Sequence, residues 1–178
     1  MILTWFANLG GELPRDSQQL HGLVAAEFPN EGRVLYAVPD RRIIAVQHRH
    51  PIQRSVTPLG LVMEERLIAA PATGVQVEFS LIGNATVCKA GKRRALPEDK
   101  HEAWGHRMLS DALNIHDMEC ETLTPATGWR KGAKLTHHRV CYHGHGTVKN
   151  QANLERLMLN GVGRAKAYGC GLLVVNPL

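Results

Sequence analysis

Long apolar runs are missing from this 178-residue sequence: no uninterrupted stretch approaches the roughly 20 residues that a membrane-spanning helix needs. The amino terminus also lacks the charged start, apolar middle and small-residue cleavage site of a signal peptide, so a cytoplasmic location and no membrane partner are expected. Cysteine is sparse. The thiols Cys88, Cys120, Cys141 and Cys170 form no CxxC pair, which argues against a disulfide framework or a zinc site and predicts reduced thiols buried in strands. Acidic residues are dispersed, with neither the clustered carboxylates nor the histidine-carboxylate motif that a metal-dependent nuclease or phosphoesterase would need. No motif asks for a metal or another cofactor.

What is present is an apolar fraction of 44%, enough for a core in one large domain or two small ones. The net charge of +5 is unevenly placed. Through Gly74 there are 7 Lys or Arg against 7 Asp or Glu, and from Val75 onward 14 against 9, so the second half carries the whole excess. That half is expected to face a polyanion.

The order of elements predicts an α+β fold. ILTWFA reads as an inner strand, and Asp16 caps a helix in which Leu20, Leu23, Val24 and Phe28 recur at helical spacing before Pro29, Asn30 and Gly32 end it. VLYAV and IIAVQH read as strands about Pro39 and Asp40, and residues 58–69 as a weaker second helix. VQVEFSL closes this unit or opens the next. In the second half, VQVEFSLI and ATVCKA precede a basic turn from Gly91 to Arg94. Pro97 then opens a helix whose Trp104, Met108, Leu109 and Leu113 share a face. MECETL, a loop over Thr124 to Lys134, a strand near Arg139 to Tyr142, a helix through Leu154, Leu157 and Met158, and the strand GLLVVN complete the pattern. Two tandem ferredoxin-like βαββαβ domains, residues 1–74 and 75–178, are the economical reading.

Ten histidines are present, and most suit a strand surface or a weak phosphate contact, including His48 to His50 and the pair His137 and His138. In CYHGH, alternation puts Cys141, His143 and His145 on one face of a strand, but no second ligand pair has a metal-site spacing. His21 differs in standing one turn into the first helix, within DSQQLHGLV, where it can project towards a neighbouring domain. Near the carboxyl terminus, GVGRAKAYGCGLLVV places four glycines, two cations and a tyrosine ahead of a buried strand, a loop shaped for contact with an anion.

That ending, GVGRAKAYGCGLLVVNPL, resembles the glycine-rich signature of the CRISPR-associated repeat-processing endoribonucleases, specifically the CasE branch of the type I-E Cascade complex. The stretch DSQQLHGLVAAEFP, with its histidine in the first helix, is similar to the same family, as are VQVEFSLIGNATVCKAGKRR and AWGHRML. The resemblance implies two RNA-recognition-type ferredoxin-like domains side by side and metal-independent cleavage of CRISPR precursor RNA at the base of the repeat stem-loop. It also implies that the mature crRNA and the other Cascade subunits are the partners.

In RNA the 2′-hydroxyl is an internal nucleophile, so an enzyme need only align it, move two protons and stabilise the phosphorane. The resemblance gives His21 the catalytic role. Lys166 and Arg164 are the nearest cations for the phosphate, with backbone N–H groups of the loop, and Gly161, Gly163 and Gly169 join Arg164 in RNA binding. Some relatives have a tyrosine one turn before the histidine; here that place holds Gln18, which cannot carry a proton but can hydrogen-bond a phosphate oxygen. Tyr168 or Lys166 is left as the second proton-transfer group or as a binding residue. Stem phosphates are expected to meet Lys89, Lys92, Arg93 and Arg94, and then Arg130, Lys131 and Lys134. Trp129 is expected to be buried rather than stacked on a base. The alternative is a non-catalytic stem-loop RNA-binding module of the same fold.

Overall fold

The structure, a computed structural model, describes residues 1–32 and 34–178. The first half contains β1 (Ile2–Ala7), α1 (Ser17–Glu27), β2 (Leu35–Asp40), β3 (Ile43–His48), β4 (Val56–Thr57) and β5 (Gly60–Leu67). These strands form a sheet in the order β2-β3-β1-β5-β4, in which the β1–β3, β1–β5, β2–β3 and β4–β5 pairs are all antiparallel. The second half contains β6 (Gln76–Gly83), β7 (Thr86–Lys89), β8 (Lys92–Ala95), α2 (His101–Leu109), β9 (Leu113–Arg130), β10 (Ala133–Val148), α3 (Gln151–Asn160) and β11 (Leu173–Pro177). Its main sheet runs β11-β6-β10-β9, and β7 and β8 form a separate two-stranded ribbon. In each sheet the first and third long strands are central and the second and fourth lie outside them. The fold is α+β, with two tandem ferredoxin-like units.

Alternation along the strands divides the interior into three layers. Tyr36, Ile44, Val46 and Phe6 face α1, which buries Leu20 and Val24 against them. In the second unit, Phe79, Leu81 and Tyr142 face Trp104 and Leu109 of α2 and Leu154 and Met158 of α3, with the Trp104 and Tyr142 rings stacked 5.4 Å apart. The opposite, helix-free faces meet each other. Leu3, Leu35, Ala37 and Ala45 from the first sheet pack with Ile82 and Val174 from the second and with Cys170 and Leu172, which lead into β11. Burying a side chain of this kind is worth roughly 1.5–3 kcal/mol, so this shared layer fixes how the two units sit.

Several local expectations are corrected. Within residues 58–69, Gly60–Leu67 form a strand, not a helix, because β5 pairs with β1 from Ile2↔Leu67 to Ala7↔Leu61, and Gly60 packs directly on the Ala7 carbonyl. The first unit therefore has its fourth long strand where its second helix was expected. VQVEFSL belongs to the second sheet. The basic turn is smaller than expected: Lys92, Arg93 and Arg94 are already in β8, and Ala90 and Gly91 make the reversal at φ 49° and 74°. The expected loop over Thr124 to Lys134 is the end of a long hairpin. Lys131 and Gly132 alone turn it, at φ 51° and 77°, the left-handed pair that suits the twist of a two-residue hairpin. Leu113 opens β9 instead of extending α2.

The thiols are not uniformly buried. Cys88 and Cys120 are exposed, Cys141 is half-buried and Cys170 is buried. The ribbon carrying Cys88 lies outside both main sheets, and Cys120 sits on the outer strand β9. Among the described residues no helix is long and apolar enough to cross a membrane.

Candidate active site between the two units

The site begins at the first turn of α1. Asp16 caps it, its Oδ1 accepting from the backbone N–H groups of Gln18 at 2.8 Å and Gln19 at 2.9 Å. Asp16 also bridges Thr127 of β9. The next residue along β9 permits this approach: a Cβ on Gly128 would lie 2.7 Å from Ser17 Oγ and 3.0 Å from the Gln18 nitrogen. The helix then puts Gln18 and His21 three positions apart on one face.

The second part is the glycine-rich turn between α3 and β11. Gly161, Gly163 and Gly169 have φ of 71°, 69° and 78°, and Ala165 is left-handed at 58°. These glycines accommodate the protein's own side chains. A Cβ on Gly161 would meet Leu35 at 2.8 Å, one on Gly163 would meet Trp104 at 3.2 Å, and one on Gly169 would meet Tyr36 at 3.2 Å. Gly161 and Gly169 are buried. Their conformational freedom is used to seat the turn, and the exposed residue of the stretch is Arg164. Tyr36 of the first unit holds the same turn by donating its hydroxyl to the Ala167 carbonyl at 2.8 Å. Burial pushes the Tyr36 phenol up, so it keeps the proton it donates.

These constraints bring side chains of both units together. Lys166 and Tyr168 lie on a short 3-10 turn, Lys166–Tyr168, both half-buried. The Tyr168 hydroxyl donates to Gln18 Oε1 at 3.3 Å, and its ring centroid is 6.0 Å from that of His21 at 56°. On its other side Tyr168 stacks on His137 of β10, with centroids 4.3 Å apart and planes 16° from parallel. His21 and Ala167 both line a cavity of about 310 Å³ whose other lining is mainly apolar, including Val24, Ala25 and Phe28. Tyr168 also borders a second hollow of about 350 Å³ containing Arg15, Arg41 and Arg139. Arg139 bridges the units by donating to the carbonyls of Thr124 at 3.0 Å and Val38 at 3.2 Å.

The other cations lie on two hairpins. Lys89 and Lys92 face each other across the tip of the β7–β8 ribbon, with Arg93 and Arg94 following in β8, and all four are exposed. Arg130, Lys131 and Lys134 are exposed at the tip of the β9–β10 hairpin, whose stem lies against the start of α1. Trp129 is 61% exposed there, opposite Lys134, because a two-residue turn offers it nothing to pack beneath. The Cys141, His143 and His145 face does not converge: His143 pairs with Glu119 at 3.1 Å and His145 with Asp117 at 3.0 Å. Among the described residues no three His, Cys, Asp or Glu side chains form a metal-binding group. Tyr36 and Arg139 are the residues that sequence reasoning passed over, and His137, expected at a strand surface or a weak phosphate contact, is half-buried against Tyr168. Their contacts join distant segments, and alternation in HHRVCYHGH is the one signal that set His137 and Arg139 on a common face.

The model of one family, CRISPR associated protein, matches residues 8–177, almost the whole length. The chain belongs to the CRISPR-associated protein family. Within that family, the CRISPR system Cascade subunit CasE of Escherichia coli K12 is 30% identical over 67% of this chain. The matched stretch spans 60% of that relative's length. The crystal structure of the CRISPR-associated protein Cas6e from Escherichia coli K-12 is 25% identical, covers all of both chains and superposes with a TM-score of 0.76. The Cse3 of Thermus thermophilus, solved with an RNA representing a pre-cleavage complex, is 23% identical over 99% of this chain and 98% of its own, with a TM-score of 0.76, and speaks for the shared fold.

Proposed function

We propose that this family member is a metal-independent endoribonuclease that cuts CRISPR precursor RNA at the base of the repeat stem-loop and keeps the product as a cytoplasmic Cascade subunit. The observation that carries the reading is the convergence of His21 from the first unit with Tyr168 from the glycine-rich turn of the second. The likeness to a Cascade subunit supports the choice of RNA and of partners. We also propose a division of labour at Gly74: residues 1–74 supply the imidazole, and residues 75–178 supply the cationic hairpins and the turn.

The chemistry follows from the substrate. The 2′-oxygen loses its proton and attacks the adjacent phosphorus, the bond from phosphorus to the 5′-oxygen breaks, and that oxygen takes up a proton. A 2′,3′-cyclic phosphate and a 5′-hydroxyl result, with no water consumed and no metal needed. His21 carries one of the two protons, since an imidazole both accepts and gives a proton near neutrality. The Tyr168 phenol, already a hydrogen-bond donor to Gln18, is the candidate for the other transfer or for a contact to a non-bridging oxygen. Lys166 and Arg164 of the same turn offset the charge that grows on the phosphorane. Gln18 orients the phenol and donates through its amide nitrogen. The exposed cations of both hairpins grip stem phosphates, and Gly161, Gly163 and Gly169 hold the turn to which RNA binds.

The test is cleavage of the cognate repeat hairpin in EDTA. Persisting cleavage with cyclic-phosphate ends is expected. Binding without cutting would leave a stem-loop-binding module, and cutting that stops in EDTA would point to metal-assisted chemistry.

A further inference from the structure

His137 has no task in the reaction just described, yet it makes the tightest ring contact in the site. Its centroid lies 4.3 Å from that of Tyr168 and nearly parallel to it, whereas the His21 ring is 6.0 Å away and steeply tilted. Tyr168 is thus held from two sides, by the imidazole face of β10 and by its hydroxyl on Gln18 Oε1 of α1. His137 Nε2 is buried and has no hydrogen-bond partner among the described residues. A histidine placed there for hydrogen bonding would be expected to use that nitrogen; what this one presents is a flat face. Burial, with His138 nearby as a lesser cause, holds its pKa below the ordinary histidine value, so the ring is neutral where it stacks.

We propose that His137 is a positioning residue for RNA cleavage: its ring clamps the Tyr168 phenol against Gln18 and so fixes the glycine-rich turn beside His21. This rests on the endoribonuclease reading above. The turn has its own anchor at Ala167, from Tyr36, but that contact is to a backbone carbonyl and leaves the phenol free to rotate about its side-chain bonds. The stack removes that freedom. Misplacing a reacting group by about 1 Å can cost on the order of 100-fold in rate.

The experiment compares wild type, His137→Ala, His137→Leu and His137→Phe in single-turnover cleavage of the repeat hairpin at saturating protein. Affinity is measured separately on a hairpin with a 2′-deoxy sugar at the cut. The alanine and leucine variants should cut roughly 10-fold to 100-fold more slowly with nearly unchanged affinity, and phenylalanine, which restores a flat ring, should recover most of the rate. The leucine variant fills the space, so the test stands even where alanine fails to fold. Wild-type rates in the leucine variant, equal losses in leucine and phenylalanine, or losses in affinity alone would each overturn the positioning role while the enzyme reading stands. A wild-type protein that binds but does not cut would overturn both.

Discussion

At the scale of single residues, the sharpest expectation attaches to His21. Proton transfer by a placed side chain contributes on the order of 100-fold to 10,000-fold, so His21→Ala should lower the single-turnover rate by that range and leave hairpin affinity nearly unchanged. Loss of binding in parallel would make His21 a contact residue instead. His48 offers a different check, on stability. It is fully buried, with Nδ1 facing the His50 carbonyl at 2.8 Å and Nε2 facing Thr4 Oγ1 at 2.8 Å. Burial is the largest influence on it and lowers its pKa, despite Glu65 and Glu31 pulling the other way. The unfolded chain therefore takes up the proton at higher pH than the folded one. Stability should be fully present above the unfolded value of about 6.5 and should fall as pH drops through it towards the lower folded value. Thermal melts at pH 7.5 and 5.5 measure this, and a His48→Asn variant should show a shallower pH slope. A melting temperature that rises on acidification in the wild type alone would contradict the assignment.

At the scale of elements, the β9–β10 hairpin links the surface proposed to face RNA to α1, and Gly128 is where it does so. Alanine there would press on Ser17 Oγ and on the Gln18 backbone nitrogen, and a backbone neighbour cannot rotate away. Gly128→Ala should cost about 1–3 kcal/mol in denaturant melts and slow cleavage by displacing Gln18. Equal stability of variant and wild type would mean that the arm gives way freely. At the tip of the same arm, Arg130→Ala and Lys131→Ala should weaken hairpin binding, and each should reduce the slope of log affinity against log salt by about one. A variant whose salt slope matches the wild type makes no phosphate contact. The arm is also where the sequence was hardest to read. Thr124, Pro125, Gly128 and Gly132 break any simple alternation, so a strand stretching to Arg130 looks like a loop until its partner is known. β5 misleads for the same reason. GLVMEERL has neither a clean period of two nor a helical one, and pairing with β1 decides its state. By contrast, Asp16 with its apolar run and the strands ILTWFA and IIAVQH carry their own signals, and they fold as read.

At the scale of the whole molecule, the site exists because the helix-free faces of two sheets pack on each other, bringing residue 21 to residue 168. The chain's local pattern shows both ends of that contact, a lone helical histidine and a glycine-rich turn, but not the stack behind them, since the His137–Tyr168 pair joins β10 to a turn beyond α3. Most cations proposed to hold the stem lie on hairpins apart from the cavity beside His21. Cutting one phosphodiester at the base of the stem changes nothing at those hairpins, so the grip on the stem is the same before and after the reaction. Product release should then be slower than chemistry, and the protein should behave as a nearly single-turnover enzyme. With protein at one tenth of the hairpin concentration, cleavage should show a burst equal to the protein present, followed by a much slower phase. Raising the salt should speed that slow phase, because each released phosphate contact returns a condensed counterion. A linear progress curve with free product at physiological salt would mean that the stem is not held after the cut, and the proposed retention of the guide would fail with it.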